Sequence, residues 1–140
     1  MGTISTAKVA GMSLILGPVI TVICYFIQQL VIFGDAEFGS AASFAAAAAD
    51  QEAAMVITSI ILAVTLIAIL YGFLFIGDQI RSGGNGHALA TYSMPLILIG
   101  TAGFVASIGA AVAAATYPEP AAAATAVFLV SNGMNGMFGI

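Results

Sequence analysis

Four long runs without a charged residue constrain this chain more than any other feature of its sequence. They cover residues 9–33, 53–76, 89–116 and 121–140 of the 140 residues. A helix that crosses a bilayer needs roughly 20 mostly apolar residues. The last run is the weakest, because it begins with alanines and carries Ser131, Asn132 and Asn135 near its end. The runs predict an all-α integral membrane protein with a single transmembrane domain, a bundle of four transmembrane helices arranged as two hairpins.

The overall composition excludes the main classes of soluble protein. Charged residues make up 6% of the chain and hydrophobic residues 61%, whereas about 25% of a soluble domain is charged. Disorder needs low hydrophobicity and high charge, and this chain has neither. Two basic residues, Lys8 and Arg81, cannot form the cationic surface that binds nucleic acid. Cys24 is the only cysteine, which excludes a disulfide scaffold.

The two cations also predict an orientation. Lys8 precedes the first run, and Arg81 lies between the second and the third. Basic residues in short loops favour the cytoplasmic side of a membrane. We therefore expect both termini to be cytoplasmic, in the inner membrane of a bacterium or archaeon or in an equivalent membrane.

The loop between the first two runs predicts an additional helix outside the cytoplasm. An alanine-rich stretch begins after Ser40, alanine is the strongest helix former, and serine is a favourable N-cap. This helix either lies at the membrane interface or continues directly into the second span, and the sequence favours the continuous helix. The acidic residues of this region favour a solvated surface over a divalent-cation site, because their spacing matches no calcium loop; they are Asp35, Glu37, Asp50 and Glu52.

Small and amide residues indicate where the spans contact other helices. In the third span a small residue recurs every fourth position, at Gly103, Ser107, Ala111 and Ala115. Helices in lipid associate through such small residues and through a few hydrogen bonds between side chains. In the fourth span Asn132 and Asn135 lie three residues apart and therefore share one face. We interpret these six residues as a helix-packing or partner interface.

His87 is the only histidine and the only candidate ligand for a cofactor. A single axial imidazole is enough to bind a chlorophyll-type pigment, or it could bind a metal, but a lone histidine at a helix end is more often solvated. The sequence requires no cofactor and leaves room for a bound lipid or pigment. It predicts no metal site.

The spans contain no Asp, Glu, Lys, Arg or His, and this absence narrows the function. Proton relays and intramembrane catalysis need ionisable groups within the membrane, so we expect no enzyme activity. The first hypothesis is a non-catalytic accessory subunit of a larger respiratory, photosynthetic or oxygenase complex, with other integral membrane subunits and lipids as partners and no nucleic acid. The alternative is a small homo-oligomeric channel or carrier for a neutral solute, lined by Gln28, Gln29, Asn132 and Asn135.

Overall fold

The computed structural model describes residues 5–138, and every regular element within this range is helical. The all-α prediction is therefore confirmed for the described range. Residues 139–140 of the predicted fourth span lie outside it. The elements are α1 (Thr6–Ile27), which continues as a π-helical segment (Gln28–Ile32), then α2 (Ala41–Asp50), α3 (Glu52–Ser82), α4 (His87–Thr116) and α5 (Ala121–Phe138).

Three of the helices are long and apolar enough to cross a membrane. They are Thr6–Ile32, Glu52–Ser82 and His87–Thr116, with 27, 31 and 30 residues. At about 1.5 Å per residue they are roughly 40–46 Å long, which exceeds the ~30 Å hydrocarbon core of a bilayer. These three helices contain all residues of the first three predicted spans except Phe33. Each helix begins one to three residues before the first residue of its predicted span. The predicted fourth span falls on α5, which has 18 residues and is not among these three helices.

Local signals explain where these helices begin. The Ser5 side chain accepts a hydrogen bond from the Lys8 N–H at the start of α1, and Ser40 accepts one from the Ser43 N–H at the start of α2. Both are N-caps of the usual kind. Gly86 precedes α4 with φ of 85°, a left-handed conformation that glycine adopts without steric strain.

The alanine-rich helix does not continue into the next helix, so the favoured prediction for this segment is wrong. The Gln51 N–H bonds the Ala47 carbonyl and completes α2, while the Gln51 carbonyl accepts from the Met55 N–H in the first turn of α3. Ala45 and Ala48 are buried, and α2 contacts α4 and α5 more than it contacts α3. The helix is interrupted at Gln51 because the face of α2 with Ala45 and Ala48 packs across α4 and α5.

The four longer helices form an antiparallel row in the order α1, α3, α4, α5. Two glycines allow α1 and α3 to approach each other closely. A Cβ at Gly17 would clash with Ile69, and a Cβ at Gly72 would lie 2.5 Å from Leu14 Cγ. This register places the start of α1, with Lys8, beside the end of α3, with Arg81. We call this side of the molecule the Lys8 end and the opposite side the Phe33 end.

The row is open, because α1 and α5 make no extensive contact with each other within residues 5–138. At the Phe33 end three aromatic rings join the end of α1, α2 and α5. The centroid distances are 5.3 Å between Phe33 and Phe44, 6.0 Å between Phe33 and Phe128, and 6.1 Å between Phe44 and Phe128. Beyond these rings, towards the Lys8 end, a cleft separates α1 from α5.

Candidate functional site

The cleft between α1 and α5 has a volume of about 270 Å³, and α3 and α4 form its floor. Its apolar wall includes Leu62, Phe104 and Ile108. Every lining residue in the described part of the chain is uncharged. The polar lining consists of four amides and four hydroxyls: Gln28, Gln29, Asn132, Asn135, Thr21, Tyr25, Ser59 and Ser131.

A π-helical turn positions the two glutamines on the α1 wall. The Phe33 N–H bonds the Gln28 carbonyl at 2.9 Å, five residues back along the chain. Gln28 is buried, and its Nε2 donates to Thr58 Oγ1 at 3.0 Å and to Ser59 Oγ at 3.3 Å. These bonds use both amide hydrogens of Gln28. The neighbouring Gln29 is exposed.

A reciprocal pair of serines joins α4 to α5 at the other side of the cleft. Ser107 Oγ donates to the Ser131 carbonyl at 3.0 Å, and Ser131 Oγ donates to the Ser107 carbonyl at 2.8 Å. Asn135 Oδ1 lies against Ser107 Oγ. A hydroxyl carries one hydrogen, so Ser107 can donate to only one of these two oxygens at a time. The pair holds two α-helices together where both serines are fully buried.

Thr21 is the polar residue whose bonding is incomplete. Its Oγ1 is buried and has no hydrogen-bond partner, and no other buried side-chain nitrogen or oxygen in residues 5–138 shares this state. A threonine in a helix usually donates to a carbonyl of the preceding turn, as Thr58 does to Ala54 at 2.7 Å. An unpartnered buried hydroxyl is unfavourable, and Thr21 is one of the residues that line the cleft.

The structure brings some of the predicted interface residues to the cleft and leaves others outside it. Ala111, Asn132 and Asn135 line it, and Ser107 lies directly behind Ser131 and Asn135. Ala115 is buried with Ala111 in a cluster at the Phe33 end that also contains Ile32, Ala48 and Met55. Gly103 is half-buried in α4 and does not line the cleft.

His87 lies far from the cleft, as the exposed first residue of α4. Its carbonyl accepts a hydrogen bond from Thr91 Oγ1 at 2.8 Å. Within the described range no group of three or more His, Cys, Asp and Glu could hold a metal ion. Ligation of a pigment or metal by His87 therefore stays a prediction from the sequence.

Comparisons with protein families, with curated proteins and with solved structures find no match for this chain. The chemistry of the cleft therefore follows from its own residues. Amides and hydroxyls can donate and accept hydrogen bonds, and the surrounding wall is apolar and aromatic. Such a lining suits a neutral group or a hydrogen-bonding helix better than it suits an ion.

Proposed function

We propose that this chain is a non-catalytic accessory subunit of a larger membrane protein complex of respiratory, photosynthetic or oxygenase type. In this proposal α5 is a fourth transmembrane helix, and α2 lies on the extracytoplasmic side. The open edge of the helix row carries the proposal. Gln29 and Asn132 are exposed there, on helices that flank a cleft and do not pack together. An amide side chain within a membrane usually bonds a neighbouring helix, and a helix of another subunit would supply that bond.

The positions of the charges support the proposed orientation. Lys8 and Arg81 share the Lys8 end, which would be cytoplasmic under the positive-inside rule. Asp35 and Glu37 follow α1 at the Phe33 end, which would be extracytoplasmic. With α5 as a span, both termini would lie on the cytoplasmic side.

The outer surface of α1 supports contact with lipids or partner subunits. Large apolar side chains are exposed along it, with Ile15 at 69%, Leu30 at 72% and Val31 at 62% of their full accessibility. In water such a surface would promote aggregation, whereas lipid or a neighbouring helix covers it favourably. Among the described residues that line the cleft none is Asp, Glu, His, Lys, Arg or Cys, which favours a subunit that binds over one that reacts.

Site-specific cross-linking tests the proposal. A photoreactive amino acid is introduced at Asn132, on the cleft, and in a matched variant at Val130, which is exposed on the same helix but does not line the cleft. We expect the probe at 132 to form a cross-link of defined mass to a different integral membrane chain, and the probe at 130 to react with lipid. Native mass spectrometry after mild extraction gives the composition. A free monomer or a homo-oligomer without other subunits would refute the accessory role.

One observation favours the second candidate, a homo-oligomeric channel or carrier for a neutral solute. All four amides that the sequence suggests as its lining face one cleft: Gln28, Gln29, Asn132 and Asn135. For this function, the purified chain reconstituted in vesicles should give solute flux. Asn132→Leu and Asn135→Leu should abolish it, while Val130→Leu should not. Vesicles without flux above the lipid background would exclude this candidate.

A further inference from the structure

We propose that the α1–α5 cleft binds a neutral membrane amphiphile of the quinone type, a flat ring with carbonyl oxygens and an apolar tail. This inference goes beyond the subunit role, because all the residues of the site belong to one chain. It uses the same exposed amides, Gln29 and Asn132, that the proposed subunit role offers to a partner helix. The ligand and a partner helix are therefore alternative occupants of the cleft, and the binding tests below are separate from the cross-linking test.

The size and the openness of the cleft suit such a ligand. Sites for small molecules are typically about 300–1,000 Å³ in volume, and the cleft, at about 270 Å³, is slightly smaller than this range. A single substituted ring fills that space, and a tail can leave through the open edge between α1 and α5. The cluster of Phe33, Phe44 and Phe128 bounds the cleft at one end and limits how far the ligand ring can enter it.

The apolar wall selects a ring without charge. Phe104 and Phe128 line the cleft together with Ile108 and Leu62, and aromatic side chains pack favourably against other rings in offset or edge-to-face geometry. A carboxylate, phosphate or ammonium group would lose its hydration here without an opposite charge as compensation. The wall therefore excludes charged lipids and favours a neutral head group.

The polar atoms of the cleft select carbonyl oxygen on that ring. Thr21, whose Oγ1 has no hydrogen-bond partner among the described residues, lines the cleft, and the exposed residues Gln29 and Asn132 line it as well. A ligand carbonyl would accept the hydrogen bonds that these groups do not make within the chain. Gln28 does not compete for it, because Thr58 and Ser59 already take both of its amide hydrogens.

The backbone of α1 changes its form at the same place. Residues Gln28–Ile32 form a π-helical segment, and short π-helical segments within α-helices often occur at functional sites. The bonds from Gln28 to α3 hold this turn in position, which fixes Gln29 at the edge of the cleft. The orphan hydroxyl, the uncharged wall and the π-helical turn are independent observations, and all three lie around one cavity.

Methionine methyl resonances of the full-length chain provide the test. The chain is labelled with ¹³C-methyl methionine, placed in lipid nanodiscs and titrated with decyl-1,4-benzoquinone. Met55 lines the cleft, whereas Met12 and Met94 lie towards the Lys8 end and serve as internal controls. We expect the Met55 signal to shift and saturate, with little change at the controls. Decylbenzene, which has the ring and the tail but no carbonyl, should bind more weakly.

Two substitutions test the roles of the donors. Thr21→Val keeps the shape of the side chain and removes the hydroxyl, and Asn132→Leu removes an amide. Each should weaken quinone binding about fivefold, the effect of one lost hydrogen bond, while Ser93→Ala should leave it unchanged. Thr21→Val removes an unpartnered buried group, so the variant should fold, and the dispersion of the methionine signals checks this.

Three results would overturn the quinone site. One is a Met55 shift that does not saturate or that equals the shift at Met12. Another is equal affinity for decylbenzene and the quinone, which would indicate simple apolar filling of the cleft. The third is unchanged affinity in Thr21→Val and Asn132→Leu. None of these results depends on whether a partner subunit is found by cross-linking.

Discussion

The glycines between helices give a quantitative test of the packing, and Gly72→Ala is the sharpest case. A methyl group at this position would lie 2.5 Å from Leu14 Cγ, 2.9 Å from Leu14 Cδ2 and 3.2 Å from the Ala10 carbonyl oxygen. Carbon atoms in contact normally lie about 3.5–4.0 Å apart, so Leu14 or the backbone of α1 must move by about 1 Å. Overpacking of this kind costs about 1–3 kcal/mol.

The net effect also includes the helix propensity of alanine. Replacing glycine by alanine within a helix stabilises it by about 1 kcal/mol. At Gly72 the clash involves the branch point of Leu14, which lies close to the backbone, and a backbone oxygen, so relief requires a new Leu14 rotamer or a shift of α1, and the cost lies near the upper limit. We therefore expect Gly72→Ala to lower the free energy of unfolding by about 2 kcal/mol, the difference between the two terms.

Two other glycines provide matched controls. A methyl group at Gly109 would meet nothing within 4 Å, so Gly109→Ala should raise the free energy of unfolding by up to about 1 kcal/mol. At Gly77 the methyl would lie 2.5 Å from both Sδ and Cε of Met94. The unbranched thioether can rotate away, so Gly77→Ala should change the stability little.

Unfolding in mixed micelles of rising SDS fraction, followed by far-UV circular dichroism, measures all three variants. The expected order of stability is Gly109→Ala above the wild type, Gly77→Ala close to it, and Gly72→Ala well below. If Gly72→Ala were as stable as Gly109→Ala, α1 and α3 could not approach each other as closely as described.

Three further perturbations test other parts of the structure. Ser107→Ala should lower the free energy of unfolding by about 1 kcal/mol, because it removes a hydrogen bond between helices. Ser93→Ala should have no effect, because the Ser93 hydroxyl bonds its own helix. Equal losses in the two variants would mean that the bonds between Ser107 and Ser131 do not stabilise the packing of α4 on α5. Phe44→Ala should speed amide hydrogen exchange in α2 but not in α4, because it removes one ring of the aromatic cluster. Unchanged protection of the α2 amides would mean that the aromatic cluster does not hold α2 in place. In Ser82→Cys the new thiol should react with an impermeant maleimide added on the cytoplasmic side. In Glu119→Cys the thiol should react only with reagent added on the opposite side. Reaction of both variants from the same side would exclude the proposed topology.

Local sequence determines the helices well. Charge-free runs, serine caps and Gly86 lie next to the elements that they define, so the predicted run 89–116 lies within α4 (His87–Thr116). The break at Gln51 was not predictable in this way. It depends on how Ala45 and Ala48 pack against α4 and α5, which are distant in the sequence.

The cleft depends on contacts between distant residues, which no local pattern specifies. The sequence draws attention to Gln28 as a polar terminus or a cavity residue. Its bond to Thr58, 30 residues away, depends on the register of α1 against α3. Thr21 gives no sequence signal, because a threonine in an apolar helix normally bonds its own backbone. Ser131 is visible as a polar residue in the last span, but its reciprocal bonding with Ser107 is not.

The aromatic cluster of Phe33, Phe44 and Phe128 has a mechanical consequence. It ties α5 to the end of α1 at one end of the cleft only, while along the rest of its length α5 is held by α4. Towards the Lys8 end α5 therefore packs, among the described helices, on α4 alone, through contacts that include the Ser107–Ser131 pair, and the side of the helix that faces α1 is left uncovered. In the proposed topology that end faces the cytoplasm, so the uncovered part of the cleft would lie beside the cytoplasmic leaflet.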